Sequence, residues 1–85
     1  MDISRDEQRV LHALAQGGRI ALIKNEAGKV TGLEFLNRDG WLMSNCSLTL
    51  FKKLKAKKAI KSQGGQPYRI TRRGLELVRS ELTNR

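Results

Sequence analysis

No aspartate or glutamate occurs between Asp39 and Glu76, yet that interval carries Lys52, Lys53, Lys55, Lys57, Lys58, Lys61, Arg69, Arg72 and Arg73. Any element this segment forms must bury its apolar residues while turning those cations outward. Outside the interval eight basic residues meet eight acidic ones, so the net charge of +9 resides within it. An imbalance this segregated focuses a positive potential on one part of the surface and points to an anionic partner. A merely solvated face more often mixes the signs.

At 85 residues the chain has room for one domain, 1–85, with one small core and no large enclosed pocket. Phe35, Trp41, Phe51 and Tyr68 are its only aromatics. No apolar run reaches the roughly 18 residues of a membrane-spanning helix. The opening "MDISRDEQ" lacks the basic and apolar regions of a secretory leader, so a cytoplasmic location away from membranes is expected. Cys46 is the single cysteine, which excludes an intrachain disulfide and fits a reducing compartment. Placed near a helix start, it reads as a small residue whose thiol pKa that position would lower. His12 falls opposite the apolar stripe of its helix and reads as a surface residue. One histidine, one cysteine and scattered carboxylates give neither a metal-ligand spacing nor a nucleophile–base pair. No catalytic residue, metal or cofactor is expected, and the chain reads as a non-enzyme.

"SRDE" at Ser4–Glu7 is a capping box, so a helix is expected from there to about Gln16, with Val10, Leu11 and Leu14 as its stripe and Gly17-Gly18 as its stop. The periodicity then shortens. "RIALIKN" and "VTGLEFLN" flank "EAGK", which predicts a hairpin with Gly28 at positive φ. Ile20, Leu22, Leu33, Phe35 and Leu36 are its expected buried members. "RDG" at Arg38–Gly40 marks a turn and "WLMS" a short third strand. Asn45 or Ser47 then caps a second helix to about Lys58. At 100° per residue Leu50, Phe51 and Leu54 share one side, with Thr49, Lys52, Lys53 and Ala56 on the other. Ile60–Gln63 and Tyr68–Thr71 read as strands around "GGQP", Pro67 holding Gln66 extended. Thr71 is placed to cap a last helix with Leu75, Val78 and Leu82 as its stripe.

Helix, short strand, glycine turn, short strand, helix is the order of the C-terminal half of a winged-helix domain. Over residues 48–82 the chain resembles small bacterial winged-helix proteins carrying "Y-x-[IL]-T-x-x-G-x-x-x-[VL]". A standard winged helix has two helices before the wing, whereas residues 19–44 read as a β-insertion in place of the first of that pair. The alternative is a short helix hidden around Met43–Ser47. The fold class is therefore α+β: a small winged-helix-like single domain with N-terminal helix, β-hairpin, basic helix, two-stranded wing and C-terminal helix.

A resemblance spans nearly the whole chain. "FKKLKAKKAIKS" (Phe51–Ser62) followed by "GQPYRI" (Gly65–Ile70), with "SRDEQ", "LHALAQGGRI" and "RDG" before them, is similar to the YjhX family of small bacterial toxins. The resemblance implies a protein that acts by binding, inhibits DNA topoisomerase I and is paired with an antitoxin. A chain this basic cannot inhibit as a DNA mimic. Either its basic face docks on an acidic surface of the enzyme, or it holds DNA and obstructs the enzyme there. Arg and Lys serve carboxylates and phosphates alike, which leaves both routes open. The expected contact residues are Thr49, Lys52, Lys53, Lys55, Lys57, Lys61, Arg69, Arg72 and Arg73. The rival reading is a winged-helix DNA-binding protein or transcription regulator. The outer face of its basic helix offers no Arg, Asn or Gln for bidentate base contacts, which points to weak sequence specificity. Oligomeric state is not legible in the sequence.

Overall fold

The computed structural model describes residues 3–44 and 46–83, with side chains given as far as 79. Eight elements follow one another: α1 (Arg5–Ala15), β1 (Arg19–Lys24), β2 (Val30–Leu36), β3 (Leu42–Met43), α2 (Leu48–Ala56), β4 (Ile60–Lys61), β5 (Arg69–Ile70) and α3 (Arg72–Thr83). This is the expected α+β class. The capping box forms: Ser4 Oγ accepts from the Glu7 amide at 3.1 Å while Glu7 Oε1 accepts from the Ser4 amide at 3.0 Å. Beyond α1, Gly17 turns left-handed at φ 109°, and the Gly17 and Gly18 amides return to the carbonyls of Leu14 and Ala13.

Residues 19–43 form an antiparallel sheet in the order β1-β2-β3, so strands stand where strands were expected. The Asn25 side chain accepts from the amides of Ala27 and Lys29 and shapes the hairpin turn, with Gly28 at positive φ as expected. Ile20 pairs with Phe35 and Leu22 with Leu33 on one face, toward the core. Ile20 and Phe35 are buried, while Leu22 and Leu33 are half-buried. Leu36 departs from expectation. Adjacent to Phe35 in an extended strand, it points to the opposite face, pairs with Leu42 and is only half-buried.

β4 and β5 form a second antiparallel pair, with Ile60 opposite Ile70 and Lys61 opposite Arg69. Reciprocal backbone bonds between Ile20 and Tyr68, 2.9 and 2.7 Å, join it to β1. At its tip Gly64 and Gly65 both hold positive φ, 57° and 78°, and Gln66 N returns to Gln63 O at 3.0 Å. Two consecutive left-handed residues are the mark of a type I′ turn, which glycine adopts without strain.

The core is one cluster: Val10, Leu11 and Leu14 from α1, Ile20 and Phe35 from the sheet, Leu50, Phe51 and Leu54 from α2, then Ala59, Ile60, Leu77 and Val78. The stripe of α3 differs from the expected one. Leu77 and Val78 are buried and Leu75 is half-buried, while the side chain of Leu82 lies outside the described residues. The cause is Gly74, which is buried where α3 crosses the end of α2. A Cβ there would lie 2.4 Å from the Ala59 carbonyl oxygen and 2.6 Å from Ile70 Cγ1. The helix therefore packs on the face of Gly74, Leu77 and Val78, spaced i, i+3 and i+4, and Leu75 is turned to its flank.

One buried polar group links the first helix to the basic segment. Glu7 is 3% exposed, and its Oε2 lies 2.6 Å from Lys57 Nζ. Burial pushes its pKa up, but the Lys57 ammonium and the Ser4 hydrogen bonds outweigh burial and hold the carboxyl below its ordinary value. A carboxylate with a depressed folded pKa stabilises the fold above its unfolded value, and that stability is lost as pH falls through the folded pKa.

Two predictions follow from this packing. Gly74→Ala is expected to lower unfolding free energy in urea by about 1–3 kcal/mol, because the backbone it meets cannot give way cheaply. Wild-type stability is expected to decline as pH falls below about 4.5. Glu7→Gln should be less stable than wild type near neutrality and flatter through the acid range, which urea midpoints across pH will read.

Candidate polyanion-binding surface

Ser47 caps α2, its Oγ accepting from the Leu50 amide at 3.1 Å; Asn45, the other expected cap, lies outside the described residues. The cap fixes the helix so that Leu50, Phe51 and Leu54 turn inward. Thr49, Lys52, Lys53 and Ala56 are exposed on the opposite side, as the periodicity required. Lys55 is exposed at the flank, where its ammonium lies 5.8 Å from the centre of the Tyr68 ring. Tyr68 is half-buried and meets Phe51 edge-on at 4.9 Å. This stack carries the positive face from α2 to the base of β5.

On the β4–β5 pair, Lys61 and Arg69 are directly opposite each other and exposed. Like charges facing across an antiparallel pair destabilise it by a few tenths of a kcal/mol. An open groove of about 480 Å³ lies against this pair, lined by Gln63, Gln66, Pro67 and Ile70 together with the two cations. Arg72 and Arg73 begin α3 behind the Thr71 cap, whose Oγ1 accepts from Gly74 N at 3.1 Å. No acid occupies that first turn, so cations stand at the positive end of the helix dipole, where carboxylates are favoured. Arg73 also reaches Glu76 at 3.7 Å.

Lys57 has another role than the expected contact. Its ammonium ends on buried Glu7 and helps hold α2 to α1. Its neighbour Lys58 was not among the expected contact residues and is exposed. Lys58 holds φ 59°, the single non-glycine residue at positive φ among those described. Its amide bonds to Lys55 O and the Ala59 amide to Leu54 O, the same termination that Gly17 gives α1. Its own carbonyl accepts from Thr71 Oγ1 at 2.7 Å, which brings Lys58 beside the start of α3. The side chain here is retained against a backbone preference of about 1 kcal/mol or more. The sequence signal that identifies this position is the helix-ending geometry, which requires a left-handed residue although no glycine follows Lys57.

The remaining candidate chemistry is inert. Burial pushes the Cys46 thiol up to about 11, the reverse of the lowering expected from a helix start. Its sulfur is half-buried against the core and is protonated near neutrality. His12 is exposed, its nearest side-chain partner Gln16 at 3.4 Å. No group of three or more His, Cys, Asp or Glu among the described residues could hold a metal ion, and no described helix is long and apolar enough to cross a membrane.

The whole chain, residues 1–85, matches the model of a family described as "putative toxin of bacterial toxin-antitoxin pair". The chain belongs to the YjhX toxin family. Similar proteins include a "UPF0386 protein" of Rhizobium rhizogenes, 62% identical over the full length of both chains. Another, of Hyphomonas neptunium, is 60% identical over 99% of each chain. A third, of Mesorhizobium japonicum, is 62% identical over 92% of this chain and 79% of its own. No solved structure matches the chain. Membership of a toxin–antitoxin family implies an antitoxin partner.

If Lys58 is kept for its charge, Lys58→Gly should raise folding stability by roughly 0.5–1 kcal/mol while weakening binding to duplex DNA. Thermal melts and binding isotherms on the same preparation measure the two opposed effects.

Proposed function

We propose that this chain is the toxin of a toxin–antitoxin pair and acts in the cytoplasm by binding, without catalysis, to inhibit DNA topoisomerase I. Its 85 residues are read as a single winged-helix-like domain, with α2 as the helix before the wing and β4–β5 as the wing. The observation that carries the proposal is the set of exposed cations. Lys52, Lys53, Lys55, Lys58, Lys61, Arg69 and Arg72 stand on the outside, and no carboxylate among the described residues reaches them. A surface that leaves this many like charges uncompensated is suited to a polyanion. An enzymatic toxin would need a group to transfer protons or attack substrate, and the two most reactive side chains of the chain, His12 and Cys46, have no such partner.

Of the two routes to inhibition, holding DNA accounts for more of the geometry. The opposed Lys61 and Arg69 above a groove edged by Gln63 and Gln66 suit a phosphate chain more closely than isolated carboxylates. The outer face of α2 offers Thr49, Lys52 and Lys53, which position a duplex without reading its bases. Such a grip tolerates many sequences, as an inhibitor of a topoisomerase on chromosomal DNA requires. The same face supports a second reading, a weakly specific winged-helix DNA-binding protein or regulator that never meets the enzyme.

A pull-down with the tagged chain, with and without nuclease, separates these. Topoisomerase retained after nuclease means direct docking, topoisomerase lost after nuclease means a DNA bridge, and its absence from both means the second reading. Lys52→Ala/Lys53→Ala is expected to fold normally and bind duplex DNA more weakly. Each lost phosphate contact should make log K against log salt shallower by about 0.9, so the pair should remove roughly 1.8 from the slope. An unchanged slope and unchanged growth inhibition would reduce this face to ordinary solvated surface.

A further inference from the structure

The most exposed large apolar side chains of the described residues are not on the basic surface. Trp41 is 71% exposed, Leu42 67% and Met43 39%, consecutive residues in and beside β3. The fourth, Ile23, sits beside the hairpin turn and is not part of this strip. β3 is the outer strand of its sheet and bonds only to β2. Edge strands of soluble proteins are ordinarily protected by a charge, a proline or a bulge, because an open apolar edge recruits other chains. "WLM" has none of these, and its protection is its brevity, two paired residues.

The strip is also held ready. Asn37 Oδ1 accepts from the amides of Asp39 and Trp41 at 2.9 and 3.0 Å, and the Asn37 amide donates to Trp41 O at 3.0 Å. The backbone of the strip is thereby fixed and presents Trp41 at the edge, and exposed aromatics of this kind are the residues that most often dominate an interface.

Three observations identify what covers it. Met43 lies opposite Phe35 on one face of the sheet and Leu42 opposite Leu36 on the other, so the apolar side chains flank the edge on both sides. Only an occupant that wraps the edge covers both, as an added strand does. The surrounding charge is balanced, Arg19 and Arg38 against Glu34 and Asp39, which gives nucleic acid no hold here. A second copy of the chain is the competing occupant, and the measurement below tells the two apart. A different protein chain is favoured because the toxin family to which this chain belongs is described as one half of a pair.

We infer that the edge of β3, with Trp41 as its anchor, is where the antitoxin docks, through an extended apolar segment added to the sheet. It rests on the toxin–antitoxin reading, and it makes neutralisation independent of the lysines that grip the target: the two surfaces share no residue.

The test uses the protein encoded in the adjacent reading frame as the partner. Growth arrest by the wild-type chain, and protection by that partner, test the toxin–antitoxin reading itself before any substitution is made. With both in hand, Trp41→Ser/Leu42→Ser is expected to arrest growth as wild type does but to escape protection, its affinity for the partner reduced at least about 30-fold. Lys52→Ala/Lys53→Ala should bind the partner unchanged. Trp41 is the only tryptophan, so fluorotryptophan incorporated in this chain gives one fluorine resonance, which should move when unlabelled partner is added. That measurement decides the matter even if the double variant folds poorly. A resonance that stays fixed in the complex, or that moves with the concentration of the chain alone, overturns the inference; the second result would make the occupant another copy.

Discussion

Lys57, Lys58 and Ala59 are the residues through which the two halves of the molecule hold each other. The Lys57 ammonium reaches back fifty positions to a carboxylate that the capping box of α1 has already withdrawn from water. Lys58 reverses the chain at the end of α2. Ala59, fully buried, donates to Leu54 and accepts from Thr71 N at 2.9 Å, while the Lys58 carbonyl accepts from the Thr71 hydroxyl. Gly74 then allows α3 to lie against the Ala59 carbonyl. Four elements converge on one turn, α1 by an ion pair, α2 by its cap, β5 and α3 by backbone and side-chain bonds. A domain with about a dozen buried apolar residues depends on such a turn more than a larger one would.

That turn also sorts the basic residues. One lysine is drawn inward to satisfy Glu7, the one buried charged residue among those described. Several of the others are left outside in positions that local physics disfavours. Lys58 sits where glycine is preferred, Lys61 faces Arg69, and Arg72 and Arg73 occupy the wrong end of a helix dipole. Each costs a fraction to about 1 kcal/mol, and all have the same sign of charge. Departures from local preference that agree with one another are what the proposed binding surface would require, since a ligand of opposite charge would remove the conflict.

Much of the fold was legible in the sequence because its signals are short-range. The capping box, the stripes of α1 and α2, the Asn25–Lys29 turn and the Gly64-Gly65 tip each depend on residues within about five positions of one another. What was not legible depends on distance. Glu7 and Lys57 carry no mutual mark in the sequence, so Lys57 read as one more exposed cation. Leu77 was passed over for Leu75 because the axis of α3 is set by Gly74 against a carbonyl fifteen positions earlier. Leu36 was placed inside because the apolar pair Phe35-Leu36 obscures the alternation of the strand. Of the candidate site, the α2 face followed directly from periodicity. Lys58 required knowing how the helix ends, and the Lys61–Arg69 opposition required the register.

The division of surfaces follows from the same chain order. The acid-free interval begins at Gly40, and the apolar edge at 41–43 sits at its very start, before the first lysine. A toxin that works by occupying a polyanionic site has no chemical step to block, so its antidote must either compete for the basic face or hold the toxin elsewhere. If the basic face holds phosphate as proposed, competing there means matching it charge for charge, and that match would weaken with salt as the target's does. An apolar edge has no such dependence. Burial of apolar area is not screened by salt, so under the proposed arrangement a partner held there would keep its grip under conditions in which the basic face loosened its own.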